Sequence, residues 1–500
     1  MTDKLNRPGQ FPAPVYARYV LEPAFHAAQA TLFEPMMQAN KAHAVMLIEC
    51  GIVQPEPGQR LLSAISTVEM DGPEGYVHDP TVEDLFFAIE RRIIDLAGGD
   101  AGGNLQLARS RNDLDAVMCR LALRGRLLDI AHAAFGLRGR LMALVEEHID
   151  TLMAGVTHTQ EAQPTTLAHY LLGVLGPLAR DGERLMRAYD RTNLSPLGAA
   201  AFTTTSLPID RERTAELLAF TDIVENGYDA VGGADYMLEA VGTLRIMALS
   251  LVRCVNDLLI WARSDVGVAR IGNEFIQISS IMPQKRNPVV LEHIRARIAY
   301  VLGDAATVEA LVHTAAFGDT VDVEDPIYVP LFRCCEHALM VLDLLSSVLD
   351  TIQFNTEKLG QQAAGGFGVS TELAECLVRE YDLPFRQAHT IVARAVRQLG
   401  LAGEDMRALT LEGLEEIITD ITGQPSGMTA EMLAESVNPA GFVARRTVPG
   451  GPAPLAIRAA LEREHATSHA QRDWLEAQQT ALVAAMDQLD GLVNDLSRSP

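Results

Sequence analysis

Residues 113–150, DLDAVMCRLALRGRLLDIAHAAFGLRGRLMALVEEHID, decide the fold. Apolar side chains return at every seventh position, at Leu114, Leu121, Leu128, Phe135, Met142 and Ile149, with Val117 and Val145 beside them. That spacing keeps one apolar stripe on one face of an α-helix and predicts a single long core helix. Asp113 suits its N-cap. Gly125, Gly136 and Gly139 lower helix propensity and are expected where neighbouring helices approach closely.

Four more segments carry the same periodicity, at about 165–191, 233–261, 288–317 and 326–352. A helix of about 30 residues spans about 45 Å, so five of them form a rod-like bundle. Apolar faces this broad predict burial against more than one neighbour, hence an oligomer. The flanks differ. Residues 1–112 hold shorter helical segments broken by Pro and Gly, at 54–58 and 71–75. Beyond Gln362, the turn Gly365-Gly366-Phe367-Gly368 opens a unit of short helices in which Val448-Pro449-Gly450-Gly451-Pro452 reads as a loop. The expectation is an all-α chain with an N-terminal helical domain (1–112), a central long-helix bundle (113–362) and a small C-terminal helical domain (363–500).

A formal net charge of −24 repels phosphate backbones and anionic lipid, which argues against nucleic-acid or membrane-surface partners. A small anionic substrate then needs a locally basic site. The opening segment Met1–Pro8 lacks the apolar core of a signal peptide, and no apolar run approaches the roughly 20 residues of a membrane span, so a cytoplasmic location is expected. Six scattered cysteines with no Cys-x-x-Cys spacing point to reduced thiols, with no metal and no cofactor.

The segment 264–287 interrupts two long helices and ends in Lys285, Arg286 and Asn287 before Pro288. Proline favours the first helical turn, so these residues sit beside a helix N-terminus, where free N–H groups and the helix dipole attract anions. Two serines lie close by. By itself this is an anion site or an ordinary polar loop.

Residues 279–288, Ser-Ser-Ile-Met-Pro-Gln-Lys-Arg-Asn-Pro, resemble the mobile catalytic loop of the fumarase/aspartase superfamily. Ile278 stands where many members have Gly. Arg109-Ser110-Arg111-Asn112-Asp113, before the first long helix, resembles an element of the argininosuccinate lyase branch. Thr157-His158-Thr159-Gln160-Glu161-Ala162-Gln163-Pro164, before the second, resembles another. Weaker echoes are Glu90-Arg91-Arg92, Pro384–His389 and Arg445-Arg446-Thr447. An isolated Arg-x-Arg is more often a surface cation, and a lone histidine before a helix more often a cap or a satisfied core residue. Three such segments in the family's order reverse that reading, while His132, His148, His169 and His313 keep it.

The resemblance implies a three-domain fold with a five-helix bundle per subunit, twenty helices in a homotetramer, and active sites shared between three subunits. It implies elimination of an amine from an N-substituted aspartate to give fumarate. Ser279 matches the base, Lys285 the lysine at the carboxylate where charge accumulates, His158 the general acid and Glu292 the carboxylate that pairs with that histidine. Ser110, Arg111, Asn112, Thr157, Gln163 and Asn287 match substrate contacts.

Three departures concern the amine half. Val289 follows the signature where Asp is common, Phe86-Phe87-Ala88-Ile89-Glu90 replaces a His-Thr-x-Asn-Glu element, and residues 318–325 lack a Tyr-Asn-x-Asp element, although the acidic run Asp319 to Asp325 offers a replacement for the pocket. Argininosuccinate is the commonest family substrate, with an aminopolycarboxylate such as iminodisuccinate or ethylenediamine-disuccinate as the alternative. An inert structural paralogue is the reading from another class, and the intact motif residues speak against it.

Overall fold

The computed structural model describes residues 11–498. The heptad-patterned stretch forms one helix, α1 (Arg111–Glu147), and all six heptad positions are buried. Its cap is Ser110 rather than Asp113. Ser110 Oγ accepts the Asn112 N–H at 3.5 Å, and Asp113 reaches back to accept the Ser110 N–H at 2.9 Å, forming a capping box. The other Asp113 oxygen accepts N–H groups from Gly198 and Ala200 at 2.8 and 2.9 Å. The residue expected to begin the helix instead ties its first turn to a distant loop.

Four further bundle helices follow: α2 (Leu167–Thr192), α3 (Asp235–Trp261), α4 (Val289–Thr314) and α5 (Asp325–Thr351). Their ends fall within a few residues of the apolar periodicity, and Pro288 caps α4 instead of entering its first turn. α1 packs on α2 and α5, α4 on α3 and α5, and α2 on α3. α1 and α5 run parallel. Arg140 meets Asp350 at 2.6 Å near both C-termini, and Asp115 and Tyr328 share a cleft near both N-termini.

The N-terminal helices contribute Phe33, Leu61, Ile65 and Ile93 to the same continuous core. A separate core of Leu373, Leu377, Ile391, Leu414 and Ile417 organises the short helices between Ser370 and Thr422. This unit meets the bundle through backbone contact, because a Cβ on Gly368 would lie 2.5 Å from the Ala162 carbonyl oxygen. Only glycine fits there. Arg445 and Arg446 close on the buried carboxylate of Glu372, so their echo of the family motif has a structural use here. All six cysteines are free and five are buried. Among the described residues, no helix is long and apolar enough to cross a membrane.

The sequence reading expected only short helices after Gln362, but Pro454–Arg498 is one helix of 45 residues, α6, laid along the bundle. Polar Ser468 and Gln471 occupy buried contact positions between Leu461 and Leu475, which breaks the apolar stripe in the sequence. The contact centres on Arg138, whose side chain is fully buried and donates to the Gln471 side chain and, at 2.7 Å, to Glu464. Removing the anion strands a buried guanidinium. Glu464→Ala is expected to cost about 3–5 kcal/mol in urea unfolding, and a loss below about 1 kcal/mol would show that Gln471 alone satisfies Arg138.

Candidate active site

Loop 279–285 is closed at its neck by a two-pair antiparallel ladder, Gln277 with Asn287 and Ile278 with Arg286. Arg286 braces the neck by donating to the Ile271 carbonyl at 2.9 Å and to the Asn273 side chain. The ladder sets Ser279 and Lys285 opposite each other at the mouth of the loop. Lys285 is exposed, and its N–H donates to the Met282 carbonyl at 3.0 Å. Ser279 Oγ accepts backbone N–H groups from Met282 at 3.1 Å and Ile281 at 3.4 Å. Donors aimed at this oxygen stabilise the charge it carries once its proton leaves. Ser280 has no such bonds among the described residues. Glu292 stands exposed in the first turn of α4.

Between α1 and α2 the chain forms a hairpin that the helical periodicity did not predict: β1 (Leu152–Thr157) and β2 (Gln160–Thr166), joined by His158 and Thr159. Both turn residues are left-handed, with φ of 52° and 64°. A two-residue turn of this hand favours Asn-Gly, and holding a β-branched threonine there costs about 1–3 kcal/mol. The hairpin thereby presents His158 exposed at its tip, flanked by the Thr157–Gln160 pair. Gln163 Nε2 donates to Thr371 Oγ1 at 3.0 Å, tying the second strand to the C-terminal unit. His169 bonds the Thr165 hydroxyl at 2.8 Å and the Gly450 carbonyl at 2.8 Å, the satisfied structural histidine that was expected.

Ser110, Arg111 and Asn112 form the start of α1. Ser110 Oγ donates to Asn112 Oδ1 at 2.6 Å. Arg111 lies 2.8 Å from Asp84 and 3.7 Å from Asp115, with its guanidinium over the rings of Phe86 and Phe87. Arg109 turns inward, donating to Asn40 at 2.7 Å and Gln106 at 3.0 Å, and supports the loop rather than a ligand.

The ten predicted residues fall into two groups. Residues 269 and 270 pair with Phe354 and Gln353 just beyond α5, which places loop 279–285 at the end where Arg140 meets Asp350. The hairpin follows the C-terminus of α1 at that same end. Ser279, Lys285, Asn287, Glu292, Thr157, His158 and Gln163 therefore share one end, and Ser110, Arg111 and Asn112 lie at the other. The 37 residues of α1 hold the ends about 55 Å apart. A cleft of about 630 Å³ at the loop end is lined by Arg140, Arg270, Glu274 and Arg286, and by none of the ten.

The acidic run 319–325 singled out in the sequence does reach Asn112, but sequence reasoning missed Asp115 and Tyr328 beside it. Asp115, Asp319, Glu324 and Tyr328 line a narrow cleft beside it. Burial pushes the Asp115 carboxyl up to about 7 against the pull of Arg111, and burial with a hydrogen bond donated to the Asp319 carboxylate raises Glu324. A signal existed: Asp115 lies four residues after Arg111, the spacing of a helical ion pair.

A lyase family model matches residues 40–303, and an argininosuccinate lyase C-terminal model matches residues 367–444. An argininosuccinate lyase of Agrobacterium fabrum is 36% identical over 90% of each chain. One of Methanocorpusculum labreanum is 35% identical over 93% of this chain and 94% of that one. The chain belongs to the argininosuccinate lyase family. It is a carbon–nitrogen lyase of that type, with the fold of the fumarase/aspartase superfamily. The crystal structure of EDDS lyase in complex with formate superposes on this lyase with a TM-score of 0.86, at 28% identity over 96% of this chain and 95% of that one. A class II fumarase of Schistosoma mansoni, 17% identical with a TM-score of 0.66 over 85% of this chain and 91% of that one, shares the fold.

Two outcomes follow for this lyase. Replacing the turn by His158→Asn with Thr159→Gly removes the left-handed strain, so the melting temperature is expected to rise while turnover is lost; an active variant would remove His158 from the chemistry. Asp115 holds a proton in the folded state that it loses near 3.8 when unfolded, so its contribution makes stability fall as pH rises from about 4 to 7. In Asp115→Asn the urea midpoint should vary less with pH across that window, and an unchanged slope would place its source elsewhere.

Proposed function

We propose that this lyase removes an amine from an N-substituted aspartate, with Ser279 as the base, and releases fumarate. The observation that carries the assignment is the pair of backbone N–H donors on Ser279 Oγ. Ser279 takes a proton from the carbon beside a succinyl carboxylate, and Lys285 and Asn287 hold that carboxylate as charge moves onto it. Donors placed for such charge contribute about 3–4 kcal/mol each. His158 protonates the departing nitrogen, and Glu292 orients and charges His158. Thr157, Gln163, Ser110, Arg111 and Asn112 bind the substrate's carboxylates and fix its pose. No cofactor or metal is required.

One chain cannot bring the two groups of residues together, because α1 is a stiff, buried strut between them. The working site is therefore assembled in a homotetramer whose bundles form a twenty-helix core, in the cytoplasm. The argininosuccinate lyases it resembles make argininosuccinate, and with it arginine biosynthesis, the first substrate to test. Val289 and Phe86, where the family's polar residues would stand, favour a second reading, an aminopolycarboxylate.

Ser279→Ala is expected to lower kcat about 10²–10⁴-fold with little change in KM, followed through fumarate's ultraviolet absorbance. Mixing inactive Ser279→Ala and Asn112→Ala chains should restore about a quarter of the sites, since each site then draws the two residues from different copies. No recovery after verified subunit exchange would show that each site is built within one chain.

A further inference from the structure

The cleft of about 630 Å³ at the loop end is lined by none of the residues assigned to the reaction, yet it carries recognition chemistry of its own. Its volume falls in the range of about 300–1,000 Å³ usual for small-molecule sites. Arg140, Arg270 and Arg286 bring guanidinium groups to it, and Glu147, Glu274 and Asp350 bring carboxylates. Arg140 is held by Asp350 at 2.6 Å, and Glu147 lies 3.8 Å from the His148 ring. The side chains of Arg270 and Glu274 have no partner among the described residues. Arg286 meets only neutral oxygens, those of Ile271 and Asn273.

Thr351 provides an independent observation. Its hydroxyl oxygen is buried and has no hydrogen-bond partner among the described residues. Such a group is destabilising until something pairs with it. A Cβ on Gly272 would collide with this oxygen and lie 2.6 Å from a Glu274 carboxylate oxygen, so both oxygens face one point that the glycine keeps open.

One ligand chemistry answers these groups together. An ammonium beside Gly272 donates to the Glu274 carboxylate and to the Thr351 hydroxyl oxygen. A carboxylate on the same molecule accepts from Arg270 and Arg286, whose planar forks match it. A simple anion would leave Glu274 unpaired, and a simple amine would leave Arg270 unpaired. Leu144, Leu349 and Ile352 give the rest of the molecule an apolar wall.

We propose that this cleft is an effector site for a free α-amino acid, which lowers turnover by acting on the neck of loop 279–285. Arg286 is the link. A carboxylate attracts a guanidinium more strongly than the amide oxygen of Asn273 does, because both partners are then charged. The bound amino acid draws Arg286 off Asn273 and so removes one of the two braces on the neck ladder. Ser279 and Lys285 stand at the mouth of that ladder, and turnover falls when their spacing loosens. The effect on turnover rests on Ser279 being the base, whereas binding in the cleft does not.

Calorimetry with glycine, leucine and glutamate tests the site, each beside the acid that lacks its α-ammonium and the amine that lacks its α-carboxylate. At least one amino acid should bind about tenfold more tightly than both of its analogues. Arg270→Met and Glu274→Gln should each weaken that binding about tenfold while leaving turnover without the amino acid unchanged. At saturating substrate the amino acid should lower kcat about twofold or more, and Glu274→Gln should abolish the inhibition. Binding that is absent, matched by an analogue, or unchanged in both variants would overturn the proposal. A rise in KM alone would place the amino acid in the active site and overturn it too, as would tight binding with kcat unmoved. Should Ser279→Ala keep full activity, the reading of the loop fails instead, and the calorimetric result decides the cleft.

Discussion

Everything in this molecule depends on α1 staying a single buried rod. Its apolar positions recur along both edges of the stripe, so Leu114 and Met142 are equally buried although they lie more than seven turns apart. A helix satisfied along its whole length cannot bend to bring its ends together without exposing core. Loop 279–285 and the hairpin stand at one end of the strut and Ser110 to Asn112 at the other. Separation of the motifs within a chain is thus a direct product of the heptad pattern. The same broad apolar faces that stiffen the rod favour association.

The bundle was legible because burial and periodicity coincide: five helices were predicted within a few residues of their ends. The exceptions have physical causes. At α6, Ser468 and Gln471 take buried contact positions, Gln471 by accepting from Arg138 and donating to the Ala179 carbonyl, so hydrophobicity alone could not outline the stripe. At the N-terminus of α1, two plausible caps competed, and the capping box decided for Ser110 because Asp113 is needed by the N–H groups of Gly198 and Ala200. The hairpin was invisible because its turn carries His158-Thr159, against turn chemistry.

Site residues divide along the same line. Ser279, Lys285 and His158 were singled out by motif alone, since they sit on exposed or strained backbone where no packing pattern speaks for them. The cleft near Asn112 was not, because a motif copied from a family points to what members share. Asp115, Glu324 and Tyr328 are legible only once α1, α3 and α5 are seen to converge.

Net charge gains a different meaning from that convergence. A chain of formal charge −24 nonetheless sets Lys285 and Arg286 side by side near the N-terminus of α4. At the opposite end it gathers carboxyls around one arginine and a buried phenol. Opposite ends of the rod therefore carry opposite charge. Asn112 lines the acidic cleft while belonging to the motif expected to hold a carboxylate. The separation between the carboxyl-rich cleft and Asn112 is fixed by the first turn of α1.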